Sequence, residues 1–576
     1  MSVIYSKDIG AVYRKAVHPQ EATAPFRPAP PLKHETILLD GSKVLLEKDL
    51  AIPMRDGIKL YADIYRPIDS IAEKTPTIVM WGPFGKHGAV PPKMFENMGV
   101  DFNKLSKYTH WELPDPLVWC ADYKYSLLLV DPRGCWWSGG GEPNHILPEE
   151  GRDGYDLVEW VARQPWCTGK IGWGAVSYYA MSAYHVAELQ PPHLSAIMPW
   201  EGISDPYREV NTMWMNLTAD GLGLSDDHAV ASLEHPLFDD WWRSRVSDWT
   251  KIEVPAYSVT GFSSLALHLR GTIEAWKQFS SPRKYLKVRV SSTLVFFNPA
   301  RHVSPLMLTN HHGGREWEAY YTDENIRKQK LFWDRFLKDE SNGVDSWPNV
   351  ELSVRTSADE AVVRSETSFP PERAELTQFH ISRERALSPD ASTPGMEPHS
   401  LTFKAHDVQE QLAFDYKFSK RTEITGNSSA KLHIQVLNCP DVDLFLALQK
   451  INAKGEEVKF YHSTEKIEAS ATFGWFRASH RELDPERSIP GRPYHSHARR
   501  QWLRPCDIYP VEVELWPTST VWEDGEIMRL VVKGTPFTDS ENLTQARIPS
   551  HSFGQVKLWF GGEYDSGLSV PIVHDE

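Results

Sequence analysis

Gly169-Lys170-Ile171-Gly172-Trp173-Gly174-Ala175-Val176-Ser177-Tyr178-Tyr179-Ala180-Met181-Ser182-Ala183 is the stretch that decides the fold. An apolar run, Ile171–Val176, passes without a loop into a helix-forming run over 178–190, and Ser177 stands at the junction. A strand that bends straight into a helix needs small residues around the bend, and Ala175, Ala180 and Ala183 supply them. The first helical turn leaves backbone N–H groups unpaired, and these can face an oxyanion. This is the layout of a nucleophile elbow, although the usual G-x-S-x-G glycines are replaced here. A plain strand-to-helix turn with a capping serine has the same layout.

Outward from this stretch, the apolar runs Thr77–Trp81, Ser126–Val130, Ala196–Trp200 and Ala256–Gly261 read as strands, and 151–164, 178–190 and 265–278 as helices. Apolar strands alternating with helices predict a parallel, buried α/β sheet. The segment 205–250, with Trp214, Trp241 and Trp242, reads as a helical cap inserted above it. A last helix over 325–338 ends at Asp339-Glu340-Ser341-Asn342-Gly343. Beyond it, short β-rich runs separated by turn residues predict a sandwich of about eight strands. The expected organisation is a Pro-rich arm over 1–47, an α/β domain over 48–342 with its cap at about 205–250, and an all-β domain over 343–576.

Composition narrows the function. The 576 residues carry 62 Lys+Arg against 77 Asp+Glu, a net charge of −15, with no long basic run, which argues against a nucleic-acid partner. The five cysteines are scattered without a CxxC pair or a Cys/His cluster, so neither a disulfide framework nor a zinc site is expected. No apolar run reaches the length of a membrane span or signal segment, so a cytoplasmic protein without a membrane partner is expected. The 22 Trp, 21 Tyr and 23 Phe predict large cores or ring-lined pockets.

A serine hydrolase of this order should carry its acid and then its histidine at later strand ends. The acid loop, from Val259 to Gly271, holds no carboxylate. The histidine loop, from Thr309 to Trp317, offers His311 and His312 beside Gly313-Gly314. Gly82-Pro83-Phe84-Gly85-Lys86 only superficially matches a nucleotide loop, and Asp131-Pro132-Arg133-Gly134 reads as a turn around a partly buried arginine.

Together with Ile52-Pro53-Met54-Arg55-Asp56-Gly57, Glu150-Gly151-Arg152-Asp153, Gln164-Pro165-Trp166, Pro199-Trp200-Glu201-Gly202, Leu267-His268-Leu269-Arg270-Gly271, Ser479-His480-Arg481 and Glu563-Tyr564-Asp565, these segments resemble the cocaine-esterase-type (CocE/NonD) branch of the X-Pro dipeptidyl-peptidase-like hydrolases. The resemblance implies an α/β-hydrolase fold with a small helical cap, a C-terminal jelly roll and a Ser-Asp-His triad acting on esters or amides. Carried over, Ser177 takes the nucleophile's place and His312 the base's, with His311 second, while the Tyr178 N–H is an oxyanion donor. Two positions depart from the family pattern. The oxyanion tyrosine falls on Phe84, and the acid falls on Ser264. Glu201, at the preceding strand end, is a substitute acid or a structural partner of an arginine. Phe84, Trp136, Trp137, Phe262 and Trp214 are expected around the serine.

These readings predict a serine hydrolase-like enzyme acting on an ester, lactone or amide of a bulky, largely apolar small molecule through an acyl-enzyme, with no cofactor. The alternative is a repurposed site running a cyclisation, elimination, acyl transfer or C–C bond step in small-molecule biosynthesis. A homo-oligomer stays open.

Overall fold

A computed structural model describes residues 3–5, 12–15, 31–39, 41–86, 100–140, 146–209, 216–219, 224–227, 234–265, 267–290, 315–390, 397–462, 467–537 and 554–574. Its centre is a single twisted sheet. In chain order the strands are β1 (Glu35–Leu38), β2 (Val44–Pro53), β3 (Lys59–Pro67), β4 (Thr75–Trp81), β5 (Ser126–Asp131), β6 (Cys167–Val176), β7 (Leu194–Trp200), β8 (Ala256–Gly261), β9 (Lys284–Arg289), β10 (Val350–Arg355) and β11 (Ala361–Glu366). Their spatial order is β1-β2-β3-β5-β4-β6-β7-β8-β9-β10-β11. From β5 through β10 all neighbours are parallel, and β3 joins β5 antiparallel. Every residue of β4, β5 and β8 is buried, as both-face coverage of a parallel sheet requires.

Helices α1 (Pro148–Ala162), α2 (Tyr178–Ala187) and α3 (Leu269–Gln278) contribute Leu157, Val158, Val186 and Ile273 to one core beside the sheet. A second core holds Phe332, Trp333, Phe336 and Leu337 of α5 (Asp323–Leu337), which follows α4 (Arg315–Tyr320). α1 presses on α2 closely enough that a Cβ on Gly151 would sit 2.5 Å from the His185 carbonyl oxygen, so only glycine fits there.

The second domain is a sandwich of two antiparallel sheets. In one, the long strands Thr422–Val436 and Ile508–Trp522 pair, flanked by Gly567–Val573, Ala374–Ile381, Gln555–Phe560 and His399–Lys404. In the other, Leu412–Lys417, Ile527–Lys533, Asp443–Ile451 and Thr472–Arg477 lie side by side. Their facing side chains, among them Leu432, Leu446, Val513, Leu530 and Leu558, form a core of their own.

Strand pairing crosses two of the expected boundaries. The sheet starts at Glu35, inside the region expected to be an arm, because the short runs 35–38 and 45–48 pair with each other. It also runs past 342, since β10 pairs with β9 in parallel and β11 closes the edge. The cap segment is not helical throughout. Short helices at Pro206–Glu209 and Asp240–Arg243 flank a hairpin of Asn216–Ala219 with Leu224–Asp227, and this hairpin pairs with Val12–Lys15. Four-residue strands such as Leu224-Ser225-Asp226-Asp227 are too short and polar to announce themselves by periodicity.

Candidate active site

Ser177 lies between the end of β6 and the start of α2 with φ 62° and ψ −117°. A non-glycine residue in such a conformation costs about 1–3 kcal/mol and persists where the surroundings enforce it. They do so here. The Ser177 N–H donates to the Trp200 carbonyl at 2.9 Å, and its own carbonyl accepts from the N–H groups of Ala180 and Met181 at 2.9 and 3.1 Å. The bend therefore sets Ser177 at the end of β6 with the N-terminus of α2 immediately after it.

Tyr178 is anchored from below. Its hydroxyl donates to Glu150 at 2.9 Å and accepts from the Ile146 N–H at 3.3 Å, and the Trp81 indole donates to the same carboxyl. Burial lifts Glu150 above the ordinary carboxylate range, and the donors of Trp81 and Tyr178 work against that rise. With its ring pinned there, Tyr178 offers the elbow only its backbone N–H.

Phe84 stands in the turn after β4, its ring edge-on to Tyr178 at 6.4 Å and tilted over Tyr179 at 5.8 Å. The structure thus brings the expected oxyanion position beside the elbow, occupied by a ring without a hydroxyl. The turn itself is built with care. Gly85 has φ +86°, and a Cβ there would fall 2.5 Å from the Trp136 ring. The Trp136 indole donates to the Pro83 carbonyl at 2.9 Å, so this buried ring props the turn. Trp137 is 41% exposed.

Lys86 carries the turn's other anchor, which sequence reasoning passed over as a nucleotide-loop lookalike. Its side chain is fully buried, with Nζ on the carboxylates of Asp49 and, at 2.8 Å, Asp63, and its N–H donates to Asp131 at 3.0 Å. Burial works to discharge the ammonium, and Asp63, Asp131 and Asp49 overcome it. Asp131 itself is pushed up to about 8 by burial. The neighbouring Arg133 holds Asp153 and Asp56, as a turn around a partly buried arginine should.

The acid positions are equally definite. Ser264 is buried in the turn after β8, where its carbonyl accepts from His268 and Leu269 at the entrance to α3. No carboxylate lies in that turn. Glu201 follows β7 with φ 54° and is fully buried. Its carboxylate accepts from Arg289 at 3.2 Å and from the Thr260 hydroxyl at 3.1 Å. That pairing ties Glu201 to the strand ends of β8 and β9, the structural role that was the alternative to a substitute acid. Phe262 is 1% exposed. His311, His312 and Trp214 lie outside the described residues. Among the described residues no His/Cys/Asp/Glu group could hold a metal ion, and no helix is long and apolar enough to cross a membrane.

A parallel sheet of this order, with a strained serine at the strand-to-helix elbow, defines an α/β-hydrolase, here joined to a β-sandwich. The profile of the X-Pro dipeptidyl-peptidase (S15 family) matches residues 56–222, and that of the X-Pro dipeptidyl-peptidase C-terminal non-catalytic domain matches 342–569. A CocE/NonD family hydrolase from Staphylococcus aureus is 31% identical, with TM-score 0.81 over 97% of this chain and 98% of that one. The chain belongs to the CocE/NonD hydrolase family, a family of serine esterase and peptidase type. Cocaine esterase of Rhodococcus sp. (strain MB1 Bresler) is 23% identical over 393 residues, 60% of this chain and 63% of that protein. An α-amino acid ester hydrolase, 15% identical with TM-score 0.64 over 94% of this chain and 99% of that one, shares the fold.

Proposed function

We propose that this protein hydrolyses an ester, lactone or amide of a bulky, largely apolar small molecule through an acyl-enzyme on Ser177. The observation that carries the proposal is the strained Ser177 backbone at the head of α2, a conformation that a capping serine does not need. His312 takes the Ser177 hydroxyl proton as the oxygen attacks the carbonyl, then returns it to the departing alcohol or amine. Water repeats the sequence on the acyl-enzyme. The developing oxyanion meets the Tyr178 N–H at the start of α2, and a backbone N–H of the Phe84–Gly85 turn supplies the second donor. Phe84, half-buried beside the elbow, supports an apolar acyl pocket.

A fluorophosphonate probe tests this reading. Labelling that maps to Ser177 and vanishes in Ser177→Ala is expected; intact, folded protein that takes no label refutes an acyl-enzyme.

One observation favours a second reading. With Ser264 in the acid's place and Glu201 held by Arg289, the described residues offer the base no uncommitted carboxylate at either expected acid position. Loss of the acid costs up to about 10⁴ in turnover in well-studied triads. In the second reading His312 is a base for cyclisation, elimination or C–C chemistry in small-molecule biosynthesis, and Ser177 binds without being acylated. The same probe separates the two.

A further inference from the structure

Arg355 closes β10, which carries it beyond the level at which β9 and β10 pair, Val288 with Leu352. It is 3% exposed. Its guanidinium lies between two ring faces, 4.7 Å from the centroid of Phe262 and 4.5 Å from that of Phe460. Its hydrogen bonds all go to neutral acceptors. Nε donates to the Ser519 carbonyl at 3.3 Å, and Nη2 donates to the Ala471 carbonyl at 3.0 Å and to the hydroxyls of Thr518 and Thr520 at 2.7 and 3.2 Å. Nη1 has no acceptor among the described residues.

Several other buried cations of this protein meet carboxylates. Arg289 sits on Glu201, Arg270 on Glu514 and Glu209, and Lys86 on Asp49 and Asp63. Burying a charge without a counter-charge is expensive, and ring faces with neutral oxygens offset only part of that cost. A strut between the two domains would need only the hydrogen bonds, which an uncharged side chain makes more cheaply. Burial pulls Arg355 down to about 9, so it stays cationic at neutral pH.

Its place in the molecule suggests what completes it. Phe262, one of the two rings on the guanidinium, opens the turn that leads to Ser264, where the family carries its acid. This chain has removed the carboxylate from that turn and kept a buried cation against the turn's first residue.

We propose that Arg355 recognises a carboxylate on the substrate, so that the molecule cleaved at Ser177 is a hemiester, or a lactone or amide bearing a free carboxylate. This rests on the hydrolase reading of Ser177. Nη1 is left to donate to one carboxylate oxygen, while the bonds of Nε and Nη2 hold the ring-stacked cation still.

Two measurements on the whole protein test the proposal. In calorimetry, phenylacetate and 4-phenylbutyrate should each bind at least tenfold more tightly than the matching primary amide. That difference should vanish in Arg355→Gln and survive in part in Arg355→Lys. In turnover, 4-nitrophenyl hydrogen glutarate should exceed 4-nitrophenyl valerate at least tenfold in kcat/KM, with the loss in Arg355→Gln falling on KM. Equal affinity of acid and amide for the wild-type protein overturns the proposal, as does a preference that persists in Arg355→Gln. If Arg355→Gln does not fold, the wild-type pairs alone decide. Failure of the hydrolase reading looks different: no ester is turned over and Ser177 takes no fluorophosphonate, while the calorimetric preference still reports on Arg355.

Discussion

Replacing Lys86 by methionine removes a buried ammonium and leaves Asp49, Asp63 and Asp131 facing one another without it. Taking one partner from a buried ion pair costs about 3–5 kcal/mol, because the remaining charge is stranded. With roughly 2.1 cal/mol/K of unfolding entropy per residue, a cooperative unit of about 300 residues loses about 5–8 °C in Tm. The loss depends on pH, and its sign follows from the carboxyls. Asp63 is raised by burial and Asp131 stands at about 8 even with Lys86 present; without it both rise further. A carboxyl whose folded value lies above its unfolded one gives stability that is complete below the unfolded value and lost as pH climbs through the folded one. Lys86→Met should therefore be more stable relative to wild type at about pH 5.5 than at about pH 8. Adding Asp63→Asn should restore part of the loss, since one stranded carboxylate goes. Differential scanning calorimetry at the two pH values reads all of this. A Tm drop below about 2 °C at both, or one independent of pH, would refute the reasoning.

Ser264→Asp returns a carboxylate to the turn after β8, and under the hydrolase reading it should raise turnover of simple 4-nitrophenyl esters at least tenfold, a fraction of the ~10⁴ an acid contributes in well-studied triads; no gain favours the non-hydrolytic reading. Gly85→Ala forces a Cβ against the Trp136 ring at φ +86° and should displace the Phe84–Gly85 turn. The expected cost is about 10²–10³ in kcat, as for loss of one oxyanion donor, with little change in KM. His495 is held near 3 by burial and by Arg208, well below a free histidine, so its contribution is intact above the unfolded value and lost as pH falls. Between about pH 7.5 and 5 that loss is roughly 2 kcal/mol, so His495→Phe should flatten the acid limb of stability by this amount in urea titrations.

Central strands announce themselves in the sequence because burial on both faces makes them largely apolar runs; Ala256–Gly261 coincides with an observed strand to the residue. β9 does not, since Lys284-Tyr285-Leu286-Lys287-Val288-Arg289 alternates with bases that read as solvent-facing. Lys287 and Arg289 are in fact buried, tolerated because Glu351 and Glu201 meet them at 3.0 and 3.2 Å. The elbow was legible for a local reason, as strand, serine and helix follow one another in fifteen residues of chain. Lys86 was not. Its carboxylates stand 37, 23 and 45 positions away and meet it only once the sheet has formed. Glu201 marks the limit of position-based reasoning: the sequence puts it at the strand end before the acid loop, but its carboxylate is met by Arg289, from a strand the sequence concealed.

The parallel pairing of β10 with β9 bears on how this protein can be inherited and handled. The second profile begins at residue 342, yet Val350 and Leu352 of that part are fully buried in the sheet of the first. A chain cut at this seam would leave the edge of β9 with unpaired N–H and C=O groups, a template for joining foreign strands. A cut after residue 355 would instead take from the sandwich the bonds that Arg355 makes to Thr518 and Thr520. Recombination that swaps one half therefore has to carry residues 350–355 with the hydrolase half and still match them to the sandwich of the other, so the two halves are expected to diverge as one lineage.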